Sequence, residues 1–137
     1  MPSRVGTLGV RPVSEARQVV AEYFVCLDTE NWERMTELWH PDASLRAVGA
    51  RPRSGRGEVI GYFSRLFRPW PQHRDVPTRI VVADNVVTAE VRFEGITPGG
   101  RAVTFEAVDV FDLDDGRIRA LSNWYDIDFV RRSLAEE

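Results

Sequence analysis

The sequence predicts an α+β fold in which helices pack on one face of a curved antiparallel sheet. In the first half of the chain, apolar residues recur at the three- and four-residue spacing of amphipathic helices. In the second half, apolar and polar residues alternate as in strands with one buried face, and short turn sequences separate the alternating runs. A chain of 137 residues is long enough to form one domain with a substantial core.

The composition is that of an ordinary globular protein, with 43% hydrophobic and 28% charged residues. A net charge of −3 and scattered basic residues give no case for a nucleic-acid partner. No run reaches the length of a membrane span, and residues 1–12 lack the apolar centre of a signal peptide, so we expect a cytoplasmic protein. The single cysteine, Cys26, excludes an internal disulfide and offers no metal cluster.

The first half is predicted to hold a flexible arm at residues 1–12, followed by the start of a single domain that spans residues 13–137. A first helix runs from the cap residue Ser14 to about Asp28, and its apolar stripe turns Tyr23 inward. The remaining segments are a second helix capped by Asn31, a strand, a loop and a third helix: Trp32–Trp39, Ala43–Val48, Gly49–Gly57 and Glu58–Phe67.

The second half predicts four strands joined by hairpin turns: Pro77–Ala83, Val86–Ile96, Arg101–Leu113 and Arg117–Asp126. Asp84-Asn85 suits a tight turn, and Pro98-Gly99-Gly100 and Asp114-Asp115-Gly116 each suit a three-residue loop with a left-handed glycine. A connector at Arg68–Gln72 precedes the strands, and Asp128 can cap a short C-terminal helix.

One carboxylate needs a particular explanation. The run Arg101–Leu113 has one face that is apolar except for Asp109. A lone carboxylate there is costly unless it is paired, hydrogen-bonded or protonated, and such costs are tolerated most often at functional sites. The alternative is an Asp near a strand end that reaches solvent or a backbone N–H.

The turn lengths predict the neighbours of Asp109. The Pro98–Gly100 loop sets Asp109 opposite Ala89, and a three-residue loop at Asp114–Gly116 sets it opposite Leu121, with Asn123 diagonal to it. The residues that these registers place on the other face of the sheet are Glu90, Arg92, Glu106 and Trp124.

A concave apolar surface with a few convergent polar groups is typical of a small-molecule pocket. We expect Tyr23, Asp109 and Asn123 to be its catalytic set. The residues expected to contact a substrate are Tyr125, Phe63, Phe67, Phe93, Phe105 and Leu121. The alternative for Asn123 and Tyr125 is a satisfied polar pair near the rim.

Several segments between Val13 and Phe129 resemble those of the nuclear transport factor 2-like superfamily, which includes ketosteroid isomerases, SnoaL-like polyketide cyclases and limonene-epoxide hydrolases. The resemblance implies a cone-shaped sheet wrapped around the N-terminal helices. The segments that carry it are Val20–Leu27, Leu38–Ala43, Pro52–Gly57, Asp115–Arg119 and Asn123–Asp126.

The resemblance also implies roles for individual residues. Tyr23 lies where ketosteroid isomerase has its oxyanion-hole tyrosine, and Asp109 where that enzyme keeps an aspartic acid protonated in an apolar site. The base of the isomerase belongs near Arg46-Ala47, where this chain has no carboxylate.

The Asp-Arg-Asp set of limonene-epoxide hydrolase corresponds to Asn123 and, in an ungapped match, to Glu90 and Arg92. These three would form a rearranged water-holding set if a bulge turned Glu90 and Arg92 inward. For the two histidines, we expect His40 to cap a helix junction and His73 to be exposed in a connector.

Together these observations predict a cofactor-independent isomerase or cyclase that acts on a small apolar carbonyl or epoxide compound, with no metal or organic cofactor. Epoxide hydrolase-like water addition and non-catalytic binding of a small molecule remain alternatives. We also expect a homodimer, because the outer sheet face is unusually apolar and related proteins pair by their sheets. The residues concerned are Thr104, Val108, Val110 and Trp124.

Overall fold

The computed structural model of the protein describes residues 13–135 and confirms the α+β class. The arm predicted at residues 1–12 lies outside the described residues. None of the helices described is long and apolar enough to cross a membrane. The elements are α1 (Val13–Thr29), α2 (Trp32–Leu38), β1 (Trp39–Ala47), β2 (Arg53–Ser54), α3 (Arg56–Leu66), β3 (Gln72–Ala83), β4 (Val86–Ile96), β5 (Ala102–Asp114), β6 (Arg117–Tyr125) and α4 (Ile127–Ala135).

The strands form one curved, unclosed six-stranded sheet in the order β2-β1-β6-β5-β4-β3. The sheet is mixed rather than purely antiparallel, because β1 runs parallel to β6 and sets Ala47 beside Asn123. Parallel neighbours need a long connection, and here α3 and the four strands β2 to β5 supply it. Alternation along a strand does not encode the direction of its neighbour, so the sequence pattern could not show this pairing.

The core is an aromatic cluster between α1 and the concave face of the sheet. The predicted stripe of α1 is buried, and Tyr23 is only 2% exposed. Its ring makes edge contacts with Phe24 and Phe111, each with centroids 5.0 Å apart. Burial of such large apolar side chains contributes about 1.5–3 kcal/mol each. The packing of this helix face therefore fixes the position of Tyr23.

The first predicted hairpin register is confirmed. The Thr97 amide donates to the Arg101 carbonyl at 2.9 Å, and Gly100 has a φ of 90° that favours glycine. Asp109 therefore lies opposite Ala89, on the inner face of the sheet.

The second predicted hairpin register is wrong by two residues. The turn contains only two residues, Asp115 and Gly116, whose φ values of 52° and 78° fit a type I′ turn. Arg119 is then an extra, bulged residue on β6. Each irregularity shifts the pairing by one residue, so the inward face is unchanged but Asp109 lies directly opposite Asn123.

Strand β3 begins at Gln72, five residues before the predicted start at Pro77. Its first part pairs with the end of β4, and a register shift at Thr78 separates the two parts. Proline and the irregularity interrupt the alternation that would have shown the strand. At the C-terminus, Asp126 rather than Asp128 caps α4, because its Oδ1 accepts the Phe129 amide at 3.0 Å.

Candidate functional site

A cavity lies between helices α1 and α3 and the concave face of the sheet. It contains about 560 Å³ of empty space, the solvent at its mouth included. Its walls are mainly aromatic and aliphatic. Five polar side chains from four elements reach it: Tyr23, Asp75, Asp109, Asn123 and Tyr125.

Asp109 and Asn123 form a hydrogen-bonded pair in this cavity. Asn123 Nδ2 donates to Asp109 Oδ1 at 2.6 Å. Asp109 is 3% exposed, and desolvation by burial raises the pKa of its carboxyl from 3.8 to about 6, against a smaller lowering effect of the Asn123 hydrogen bond. The carboxyl thus changes protonation near neutral pH and can both accept and return a proton.

Tyr23 supplies a phenol that stays protonated. Burial raises its pKa well above 10.0, and the nearby carboxylates of Asp109 and Asp75 raise it further. Within residues 13–135, no hydrogen bond engages its hydroxyl. A neutral phenol in this position is available to donate a hydrogen bond to a bound oxygen atom.

Asp75 is a cavity residue that the sequence analysis missed. Burial raises the pKa of its carboxyl well above 3.8, and the neighbouring carboxylates of Asp109 and Asp28 raise it further. The residue as a whole is half-buried, so it keeps some exposure while its carboxyl is largely desolvated. Asp28 Oδ1 accepts the backbone amide of Asp75 at 2.8 Å, which fixes this part of β3 to the end of α1.

No simple sequence signal reveals Asp75. Regular pairing counted back from the Asp84-Asn85 turn would set it opposite Glu94, on the outer face of the sheet. The extra residue Thr78 shifts the register by one, so that Asp75 lies opposite the inward Phe93. The bulge alone therefore turns this carboxylate into the cavity.

Of the six residues expected to contact a substrate, five line the cavity and one does not. Phe63, Phe67, Phe93, Phe105 and Tyr125 line the cavity. Leu121 does not line it, because the shifted second hairpin sets Leu121 opposite Phe111 inside the core, where it is 2% exposed.

Glu90 and Arg92 lie on the outer face, as the predicted register required, and are exposed. Their charges are engaged there: Arg79 Nε is 3.3 Å from Glu90 Oε1, and Arg92 Nε is 3.1 Å from Glu94 Oε2. The rearranged water-holding set with Asn123 is therefore not formed.

The structure agrees with the expected role of His40 and disagrees with the expected exposure of His73. His40 Nδ1 accepts the Asp42 amide at 3.0 Å, which is the local capping role expected of it. The prediction that His73 is exposed is wrong, since its side chain is 4% exposed. It belongs to β3, its ring stacks on Phe67 at 4.3 Å, and its Nε2 is 2.7 Å from Glu30 Oε2.

Many solved structures share this architecture. A protein described as a SnoaL-like polyketide cyclase, from Jannaschia sp. CCS1, has a TM-score of 0.82 at 18% identity, over 93% of this chain and 97% of that one. An LEH-like epoxide hydrolase from M. tuberculosis has a TM-score of 0.75 at 21% identity, over 90% of this chain and 91% of that one. A Catenulispora acidiphila protein with a ketosteroid isomerase-like fold, in complex with trimethylamine, has a TM-score of 0.77 at 15% identity, over 85% of this chain and 92% of that one.

At these identities the likeness establishes the shared fold. No curated protein matches the chain. The family model of the SnoaL-like domain matches residues 20–121, which is most of the chain. The protein therefore belongs to the SnoaL-like domain family, within the nuclear transport factor 2-like superfamily.

Proposed function

We propose that the protein is a cofactor-independent isomerase or cyclase that acts on a small, largely apolar carbonyl or epoxide compound. The observation that supports this most is Asp109, a buried carboxyl with a pKa of about 6 that shares a cavity with the phenol of Tyr23. Perturbed titratable groups in an apolar cleft are typical of acid–base active sites.

In this proposal Tyr23 donates a hydrogen bond to the substrate oxygen on which negative charge develops. Asp109 transfers a proton or donates a second hydrogen bond, and Asn123 holds its carboxyl in place through the 2.6 Å contact. A donor to a developing oxyanion contributes about 10²–10³ in rate, and positioned proton transfer contributes roughly 10²–10⁴. Enolisation, intramolecular aldol closure and opening of an epoxide all fit this set.

Two other functions of the same cavity are alternatives to this proposal. Epoxide hydrolase-like water addition would need a new set of water-holding residues, because Glu90 and Arg92 point away from the cavity. A non-catalytic binding protein would also use the apolar walls. A binding role alone gives no reason to bury Asp109, whose ionised form is costly in such a site.

Binding of a phenol is a test that needs no knowledge of the substrate. A simple phenol shares one proton with Asp109 in the complex, so its affinity should be constant between about pH 6 and about pH 10 and should fall outside that range. Asp109→Asn should abolish the decrease on the acid side. An unchanged acid-side decrease in that variant would show that another group controls binding.

Catalysis is tested with a panel of cyclic ketones and monocyclic epoxides, by NMR detection of α-deuterium exchange and of product. The wild type should act on members of one class, and the Tyr23→Phe, Asp109→Ala double variant should lose that activity. Full turnover by the double variant would place the chemistry elsewhere or leave a binding protein.

We further propose that the protein forms a homodimer through the outer face of the sheet. On that face Val108 and Trp124 are 36% and 43% exposed, and the Arg46 guanidinium lies 5.5 Å from the centre of the Trp124 ring. Exposed apolar patches of this kind often mark interfaces. Val108→Arg should convert the dimer to a monomer in light scattering at micromolar concentration, and a monomeric wild type would contradict the proposal.

A further inference from the structure

The cavity contains a carboxyl that the proposed chemistry does not use. Asp75 faces the same space as Asp109 and Tyr23, and within residues 13–135 no hydrogen bond reaches its carboxylate oxygens. The two charges that act on it most, those of Asp109 and Asp28, have the same sign. A desolvated carboxylate with no donor and two like neighbours is an unfavourable arrangement when the cavity is empty.

The positive charge that would relieve this arrangement is absent from the cavity walls. None of the described residues that line the cavity is an arginine, lysine or histidine. His73 is close to Asp28, but its ring lies against Phe67 and its Nε2 pairs with Glu30. Among the described residues that line the cavity, an ionised Asp75 therefore has no positive partner, and a cation that enters the cavity would supply one.

The walls also suit the apolar part of an organic cation. Three aromatic rings form a continuous series on the sheet side: Phe93 stacks on Phe105 at 4.6 Å, and Phe105 contacts Tyr125 at 5.2 Å. Trp70 covers Phe93 from the edge at 4.8 Å. These rings give the alkyl or aryl part of an organic cation an apolar surface to pack against.

An organic cation fits this site better than a metal ion. In the described part of the chain, no group of three or more His, Cys, Asp or Glu side chains is arranged to hold a metal. Protein sites for hard divalent cations usually supply several oxygen ligands, whereas one carboxylate beside apolar rings matches a nitrogen that carries alkyl or aryl groups.

We propose that the cavity binds compounds that carry a protonated amine or a quaternary ammonium group, with the charged nitrogen beside Asp75 and the apolar part against the aromatic wall. This inference deepens the proposed function, since it assigns a basic nitrogen to the substrate of the same cavity. Tyr23 and Asp109 then remain available for the reacting oxygen, and Asp75 selects which molecules enter.

Calorimetry with three probes of similar size tests the inference on the intact protein at pH 7.5: benzylamine, benzyltrimethylammonium and benzyl alcohol. Both cations should bind at least about 10-fold more tightly than the alcohol, because a hydrogen bond or contact to a charged partner contributes about 1.5–3 kcal/mol. Asp75→Asn should weaken the two cations by about 10- to 100-fold and leave the alcohol unchanged. Asp112→Asn, an exposed carboxylate on β5, is the matched control and should change nothing.

Equal binding of alcohol and amine by the wild type would overturn the inference, as would full retention of cation binding by Asp75→Asn. If that variant does not fold, Asp75→Ser takes its place, and the wild-type comparison of amine with alcohol still decides. Phenol binding through Tyr23 and Asp109 is measured on the same samples. Phenol binding without amine selectivity removes only this inference. Amine selectivity without turnover of ketones and epoxides that carry an amino group supports the inference and removes the proposed reaction.

Discussion

The ionisation of Asp109 should cost the folded protein stability, and Asp109→Asn should recover it. The carboxyl has a pKa of about 6 when folded, against an ordinary value of 3.8. At about 1.36 kcal/mol per pH unit, this difference corresponds to about 3 kcal/mol. Asparagine has nearly the same shape and keeps an oxygen that can accept from Asn123, so the variant removes the buried charge with little change in packing.

The sign follows from proton binding. Between pH 3.8 and about 6 the folded protein holds a proton on Asp109 that the unfolded chain has released, so the free energy of unfolding decreases as pH rises. Below pH 3.8 the carboxyl of Asp109 hardly changes the free energy of unfolding, and above about pH 6 it lowers this free energy by the full amount. About 1.3 kcal/mol of this cost should develop between pH 5 and pH 7.

Urea unfolding of the wild type and of Asp109→Asn at several pH values from 5 to 7.5 measures this difference. Asp75 also titrates in the cavity, so only the difference between the two proteins is assigned to Asp109, together with its effect on Asp75. The variant should be more stable at pH 7 by up to about 3 kcal/mol, with a smaller gain at pH 5. A pH-independent difference, or a variant less stable at pH 7, would refute the assignment of a buried, ionisable Asp109. The exposed Asp112→Asn should behave as the wild type.

Two further changes test the geometry of the cavity. Asn123→Ala removes the hydrogen bond that lowers the pKa of Asp109, so that pKa should rise above about 6 in a carboxyl ¹³C NMR titration; an unchanged midpoint would mean that the 2.6 Å contact has no such effect. Gly95→Ala places a methyl group 2.6 Å from the Phe93 ring, and overpacking of this kind should destabilise the protein by about 1–3 kcal/mol in urea unfolding. Gly57→Ala, with no atom near the added methyl group, is the control; equal stability of the two variants would show that the ring moves freely.

The parts of the fold that the sequence predicts are those with unbroken periodicity. The stripe of α1 and the alternation of β4 and β5 bury whole faces, and the Pro98–Gly100 turn sets their register, so Tyr23 and Asp109 could be placed in one cavity. Regular counting failed at two bulges. One of them, together with the shorter turn before it, brings Asn123 opposite Asp109, and the other turns Asp75 inward.

The position of a bulge is hard to recognise in a sequence, because a single extra residue is accommodated by local backbone geometry rather than by a distinctive side chain. The parallel pairing of β1 with β6 is hidden for a different reason. It joins residues 76 positions apart, as with Ala47 and Asn123, and nothing in either strand specifies the partner. The sequence therefore predicts a cavity with Tyr23, Asp109, Asn123 and Tyr125, and it does not reveal Asp75 or the direct pairing of Asp109 with Asn123.

The bulge at Arg119 and the length of the last turn together determine which residues of β6 face the cavity. A two-residue turn without the bulge would set Asp109 opposite Ser122, turning Asn123 outward and Trp124 into the cavity. A three-residue turn without the bulge would keep Asn123 inward but opposite Ala107. Turn length and bulge should therefore change together during evolution, and an insertion or deletion in the last hairpin should survive only with a compensating one a few residues away.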